Sequence, residues 1–297
     1  MVFLQRQATD RAVQVVFLVV ALVSIASLLL IGLFLFMEGI PVLRSTSLPD
    51  FLFGRLWYPT DDDPLFGIFP LIVGSACVTL LSSIVAVPLG IMTAIYIAEI
   101  AGKRTAEIVK PLVEILASLP SVVIGLFGLM VFGPFLQKVF NVPIGINLFN
   151  ASMMLAFMAV PTICSISEDA IHSVPQSLRE ASLALGATQL ETIMKIILPG
   201  AASGIGTAVI LGMSRAIGET MVVLMVAGGA AIVPHSLFDP VRPMPATIAA
   251  EMAEAPFGSS HYHALFAIGI VLFVFTLLFN LTADVLADRF QKKQLGG

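Results

Sequence analysis

The chain has 297 residues, of which 58% are hydrophobic and 11% charged, with 15 Lys and Arg against 19 Asp and Glu and a formal net charge of -4; its mean hydropathy is +1.01. Soluble domains are about 45–50% apolar and about 25% charged, so a water-soluble globule is excluded and an integral membrane protein implied. The net charge says nothing about orientation, which follows the loop asymmetry of Lys and Arg.

A crossing needs about 20 mostly apolar residues, and windows of that kind fall at 12–37, 68–98, 112–135, 148–167, 201–233 and 262–286. The reading is therefore an all-α integral membrane protein with six transmembrane helices. The first window is too long for a signal-peptide core and lacks a small-residue cleavage site, so it is expected to be retained. Arg6 and Arg11 flank it and suggest a cytoplasmic N-terminus. On that topology ten basic residues fall on the cytoplasmic side: Arg6, Arg11, Lys103, Arg104, Lys110, Arg179, Lys195, Arg289, Lys292 and Lys293. Four fall outside (Arg44, Arg55, Lys138 and Arg242) and Arg215 falls inside the fifth window. The excess predicts that both termini are cytoplasmic.

The outer connection 38–67 contains "RLWYPTDDDPLFG", with Trp57 and Tyr58 expected as interfacial anchors and Asp61, Asp62 and Asp63 as a solvated turn. The chain divides into 1–67, an N-terminal helix with its outer loop, and 68–297, a five-helix core carrying the cytoplasmic connection 168–200. Cys77 and Cys164 fall in apolar windows, where a thiol packs as a small apolar group. Gly102-Lys103 is followed by Arg104 and lacks the upstream glycine of a phosphate-cradling loop, so ATP, if used, binds to another chain. "NAS" at Asn150 and "NLT" at Asn280 lie at or within spans, which argues against glycosylation. In the last outer loop 246–254 is free to form a short helix that could cap an external mouth. His261 and His263 flank Tyr262 without a neighbouring carboxylate or thiolate in sequence, so no metal site is expected there.

The connection 168–200 is amphipathic amid apolar surroundings. Ser173 with Gln176, and Thr188 with Glu191, have the spacing of capping boxes. Gly186 stands between them, where a left-handed residue ends a helix. A bent pair of short helices follows. Leu178, Leu185, Leu190, Ile193, Ile196 and Ile197 alternate with Arg179, Glu180, Glu191 and Lys195. Either the pair packs back on its own membrane helices, or it lies in a groove on another protein.

Within this stretch Glu180, Ala181, Gly186, Ile196, Leu198 and Pro199 stand in the order E-A-A, three residues, G, nine residues, I-x-L-P. This resembles the EAA loop of ATP-binding-cassette importer permeases, with Ser182 in place of the second alanine. The resemblance implies a coupling loop that docks into a cleft of an ATPase subunit, with Gly186 permitting the bend. "FGIFPLIVGS", "VPLGIMTAIYIAE", "LASLPSVVIGLFG", "SRAIGETMVV" and "HALFAIGIVLF" further resemble the PstC-type permeases of phosphate importers over about 57–288. The approach "LWYP" favours that type over the sister permease. The resemblance implies a bacterial plasma-membrane permease subunit with no cofactor of its own and no nucleic acid partner. Its implied partners are a homologous second permease (PstA-type), two copies of a cytoplasmic ATP-binding subunit (PstB-type) carrying ATP and Mg, and an extracytoplasmic phosphate-binding protein (PstS-type).

Arg215 is 14 residues into the fifth window (215 - 201), about 21 Å at about 1.5 Å per residue. An arginine at mid-membrane costs at least about 2.5–3.5 kcal/mol, so it should face protein or a polar pathway. Glu219 is one turn on and could pair with it. The pair either cements helices or forms a way station for an anion, to which a guanidinium offers paired donors. The resemblance implies that Arg215 and Glu219 serve phosphate translocation. Thr220 beside them is assigned to the same pathway, as are Ser118 and Ser121, on either side of Leu119-Pro120 in the third helix. Glycines of the fifth span, Gly200 and Gly204 among them, are expected at close helix contacts. Two alternatives stay open: a permease for sulfate, molybdate or phosphonate, and an ion-coupled secondary carrier. Against the carrier, 12–135 and 148–286 show no internal repeat.

Overall fold

The computed structural model describes residues 2–295, with side chains described for 13–282 and for Val285. The side chains of Arg6, Arg11, Arg289, Lys292 and Lys293, used above for the charge asymmetry, lie outside the described residues. Among the described residues, six helices are long and apolar enough to cross a membrane: Val13–Arg44, Phe69–Ile100, Ser121–Phe140, Leu148–His172, Gln189–Ile217 and Ser260–Thr282.

In chain order, α1 (Val2–Gly39) passes through a 3₁₀ turn (Ile40–Arg44) to α2 (Leu48–Phe53), and β1 (Trp57–Tyr58) pairs antiparallel with β2 (Leu65–Phe66) in a small hairpin. Then follow α3 (Phe69–Ile95), ending in a π turn (Tyr96–Ile100), and α4 (Lys103–Ser118). The third crossing is built from α5 (Ser121–Phe127), a π turn (Gly128–Phe132) and α6 (Gly133–Phe140). Next come α7 (Leu148–His172), α8 (Gln176–Ala184), α9 (Gln189–Thr192), a π turn (Ile193–Ile197), α10 (Leu198–Ile217), α11 (Met221–Val226), α12 (Met244–Glu251) and α13 (Ser260–Leu295).

α7 is the axis of the molecule. Its buried residues include Met154, Leu155, Ala159, Ile163 and Ile171, and α3 and α10 pack along it. The close approach rests on missing side chains: a β-carbon on Gly90 of α3 would come within 2.7 Å of Ile163, and one on Gly212 of α10 within 2.5 Å of the same residue. Gly204 likewise abuts Ala170. The small residues expected at close contacts thus serve packing within the chain, where dispersion between near backbones holds helices together. Asn150, fully buried on α7, donates to the carbonyls of Gly128 (2.9 Å), at the start of the π turn, and Gly145 (2.8 Å), in the loop before α7, which ties the third crossing and that loop to α7.

α1 behaves differently. Its apolar side chains are exposed along 13–37 apart from Leu35, which approaches Gly269 of α13, and Phe34, though exposed, sets its ring edge-on to Phe266. A helix that is apolar all round and leans on one neighbour is covered by lipid.

Two spans differ from expectation. The window 112–135 is not one helix: α4 ends at Ser118, Leu119 is extended (φ -64°, ψ 132°), and the crossing begins at Ser121. Pro120 explains the break, because its ring drives the preceding residue out of the helical region. The window 201–233 is also divided, since α10 stops at Ile217 and only α11 continues before the chain turns at Gly228 and Gly229, both at positive φ.

Candidate functional site

The amphipathic stretch forms a bent elbow. α8 ends at Leu185, Gly186 adopts φ +83°, and Thr188 caps α9 through a box with Glu191, whose carboxylate accepts the Thr188 N–H at 3.0 Å. The second expected box does not form: Pro175 occupies the cap of α8, and Ser173 donates its hydroxyl to the Ala170 carbonyl instead. Proline before the helix already fixes the chain direction, which leaves the serine to finish α7.

Of the two destinations weighed for the apolar residues, packing back on the chain's own helices is seen for part of them. Ile193 and Ile197 are buried with Ala94, Ile97, Cys164, Ile171 and Val174. Leu178, Leu183, Leu185, Leu190 and Met194 are exposed, Leu185 at 89%. Glu180 and Ala181 are exposed on α8, Ile196 in the π turn and Leu198 and Pro199 at the start of α10 are half-buried, and Gly186 sits at the tip with open space where a β-carbon would stand. The elbow therefore has a root anchored in the helix bundle and a tip whose apolar side chains project away from it.

Charged groups brace the root. Arg179 pairs with Glu99 at 2.6 Å, and Lys110 of α4 pairs with the buried Glu168 of α7 at 3.0 Å. The hydrogen bond that Lys110 donates to Glu168 pushes its ammonium above its ordinary range. Neither contact was evident in sequence, because each joins residues more than 50 apart.

Arg215 lies in the last turn of α10, 17 residues beyond Leu198 (215 - 198) and thus about 26 Å along the helix. It is exposed on the surface of the chain and donates Nη1 to the Thr162 hydroxyl at 3.4 Å. The expected ion pair with Glu219 does not form. The helix ends between the two residues, so one-turn spacing no longer places them on one face. Glu219 turns instead to α11 and accepts the N–H groups of Met221 (3.1 Å) and Val222 (3.3 Å) on Oε1. Arg215 and Glu219 nevertheless line one narrow crease, with Leu155, Met158, Ala159 and Ala216. Thr220, half-buried in the break, donates to the Gly218 carbonyl at 3.3 Å.

Ser118 and Ser121 do not lie within a continuous third helix; they bracket the corner at Leu119 and Pro120. Leu119 packs against the cluster holding Ala216 and Val222, so the two interrupted spans break beside one another. Ser118 is exposed with its hydroxyl on the Ile115 carbonyl, and Ser121 is half-buried. Thr162 is the residue of this region that sequence reasoning missed. Nothing in a threonine following Pro161 distinguishes it from other hydroxyls in these spans.

At the opposite end from the elbow, Trp57 is buried at 4% exposure, not displayed as an anchor. Its indole N–H donates to Glu251 (3.1 and 3.2 Å), which also receives Arg242 and lies 2.9 Å from His261 Nε2. His263 Nδ1 is 2.7 Å from the Glu38 carbonyl oxygen. The helix expected at 246–254 is α12, Met244–Glu251, and with the hairpin it walls a cavity of about 860 Å³ that includes Arg55, His235 and Glu254.

Six apolar crossings among the described residues, a polar elbow with an apolar tip at one end, and a crease holding Arg215 and Glu219 between α7 and the end of α10 have the form of an integral membrane permease subunit. Residues 86–295 match the family described as binding-protein-dependent transport system inner membrane component. The chain belongs to that family and is a multi-pass, inner-membrane permease subunit of an ABC transporter. It is similar to the probable ABC transporter permease protein YqgH of Bacillus subtilis, at 41% identity over 91% of this chain and 88% of that protein. It is also similar to the phosphate transport system permease protein PstC of Pasteurella multocida (33% identity, 82% of this chain and 81% of the relative). PstC 1 of Mycobacterium tuberculosis is 35% identical over 77% of this chain and 75% of its own length. Among solved structures, a chain of the inward-facing MetNI methionine ABC transporter matches with TM-score 0.57 at 20% identity, covering 75% of this chain and 94% of that one. A chain of a bacterial alginate ABC transporter complex matches with TM-score 0.58 at 16% identity, covering 90% and 95%. These two likenesses are of fold alone.

Proposed function

We propose that this chain is the PstC-type permease subunit of an ATP-driven importer of inorganic phosphate and forms half of its translocation pathway. The observation that carries the reading is the Arg215 guanidinium, exposed where α10 ends and hydrogen-bonded through one nitrogen to Thr162. A planar fork of donors meets phosphate oxygens in pairs, and the C-terminal end of a helix favours a cation. The similarity to PstC proteins supports phosphate as the passenger.

In this reading the elbow end and both termini are cytoplasmic. The exposed Leu178, Leu183, Leu185, Leu190 and Met194 face a groove on a PstB-type ATPase, present in two copies and carrying ATP and Mg. This chain holds no cofactor and catalyses no reaction. A PstA-type permease covers the crease from the other side, and a PstS-type binding protein delivers phosphate to the opposite end. Closure of the ATPases moves the elbow, and α10, continuous with it through Ile193–Ile197, shifts Arg215 between two exposures.

The test is uptake of labelled phosphate by the reconstituted complex. Arg215→Lys keeps the charge and loses the fork, so uptake should fall about tenfold or more, the scale of a lost charge-assisted hydrogen bond. Arg215→Ala should abolish it. Wild-type uptake by Arg215→Ala would refute the way station. Competition by sulfate, molybdate or phosphonate equal to that of phosphate would replace the passenger while leaving the ABC permease assignment in place.

A further inference from the structure

The elbow leaves the bundle by two routes. One is the chain itself, through the π turn Ile193–Ile197 into α10. The other is made of side chains. Arg179, on α8, sets Nη1 2.6 Å from a Glu99 carboxylate oxygen in an ion pair and donates Nη2 to the Ile171 carbonyl at 2.8 Å. Gln189, on α9, donates Nε2 to the backbone carbonyl of the same Glu99 at 2.8 Å. Both arms of the elbow thus grip one residue, 80 and 90 positions earlier in the chain (179 - 99 and 189 - 99).

Glu99 belongs to the π turn Tyr96–Ile100 that closes α3. Such wide turns often mark hinges, and here one stands at each exit from the elbow. The Glu99 side chain is 9% exposed and that of Arg179 22%. At this burial the pair is held away from water, and Arg179 is further fixed by the Ile171 carbonyl at the end of α7. A guanidinium locked at two nitrogens transmits displacement, whereas a solvated lysine would swing. Beyond the grip, α3 is wedged on α7 through Gly90 and Ile163. A second ion pair, Lys110 with Glu168, joins α4 to α7 and does not touch the elbow's arms.

We propose that Glu99 and Arg179 form a lateral strut that carries elbow motion into α3, alongside the backbone route into α10, so that both helices flanking α7 are driven together. The inference rests on the reading of the elbow as the ATPase-docking element. Glu99 and Arg179 are positioning residues, since neither is placed on the anion path.

The experiment uses the whole complex with its ATPases and binding protein in liposomes, and compares Arg179→Ala, Glu99→Gln, Gln189→Ala and the exchanged pair Glu99→Arg with Arg179→Glu. Three quantities are read: ATPase retained on purification, thermal midpoint, and phosphate transported per ATP hydrolysed. The strut predicts that phosphate per ATP falls at least about fivefold in Arg179→Ala and Glu99→Gln, the lower end of a coupling free energy. ATPase retention should hold and the exchanged pair should recover part of the loss. Gln189→Ala, which unpairs no charge, should lower the ratio in the same direction and keeps the test available if the charge variants unfold. A loss of uptake that follows ATPase retention or thermal midpoint, with an unchanged ratio, would overturn the strut and reduce the pair to structural glue. So would an unchanged ratio in every variant. If the unaltered chain retains no ATPase at all, the docking reading fails first, and that result is separable from the others.

Discussion

Arg215 and Glu219 have the spacing of a helical ion pair and do not form one, because the helix ends two residues after the arginine. Glu219 occupies itself with the N–H groups of Met221 and Val222, so its carboxylate holds the start of α11. Removing it as Glu219→Ala should lower stability by about 0.5–2 kcal/mol, the range for a lost helix cap, read as a drop in thermal midpoint of the detergent-solubilised protein. Glu219→Gln keeps an acceptor oxygen and should leave the midpoint nearly unchanged. That variant isolates the charge: phosphate near neutral pH carries a proton and sulfate does not, so a carboxylate acceptor in the crease favours phosphate. Uptake by Glu219→Gln with both anions present should show a smaller preference for phosphate, and an unchanged preference would confine Glu219 to its capping role. The identities of the charged residues were legible because arginine in an apolar window is costly. Their partners were not, since Thr162, Glu99 and Glu251 are reached across the fold.

Among the elements, the elbow was the most readable. Its caps, turn and alternation are local, so Gly186 and the Thr188 box appear where spacing placed them. The interrupted spans were less so. Pro120 breaks the third window, yet Pro88, Pro111 and Pro161 lie inside α3, α4 and α7 without ending them. A proline therefore marks a weak point, and packing decides whether the helix yields there. Gly186 supplies the element-level prediction. With φ +83° and nothing near its α-carbon, it is constrained by backbone conformation and not by space. A β-branched or bulky residue is disfavoured there by about 1–2 kcal/mol, and Asn far less. Gly186→Asn should retain most uptake, whereas Gly186→Trp should abolish transport while membrane insertion is spared. Full uptake by the tryptophan variant would show that the tip meets no partner.

For the molecule as a whole, six crossings follow from hydropathy alone, and membership of the permease family from the spacing of Glu180, Ala181, Gly186, Ile196, Leu198 and Pro199. What hydropathy conceals is which crossings form the rigid part. α1 is as apolar as any and stands aside, exposed along most of 13–37, while α7, the least apolar by window, is the most buried. Lipid and protein interior are both apolar, so a hydropathy scan does not separate them; the small residues that admit a neighbour do. The expectation that Trp57 anchors an interface failed for a related reason, since a tryptophan that finds a carboxylate for its N–H is stable when buried.

Ile163, wedged against Gly90 on one side and Gly212 on the other, rivets three crossings at a single point. A riveted trio turns as one body, and whatever breathing the cycle demands is left to the corners at Leu119 and Gly218. Paired spin labels should bear this out by dipolar spectroscopy: distances spanning α3 to α10 should stay constant from the nucleotide-free to the trapped state, while distances between the two corners should spread. A mismatch there would make the rivet a hinge, and the protein would be a pair of shears instead of a rocker.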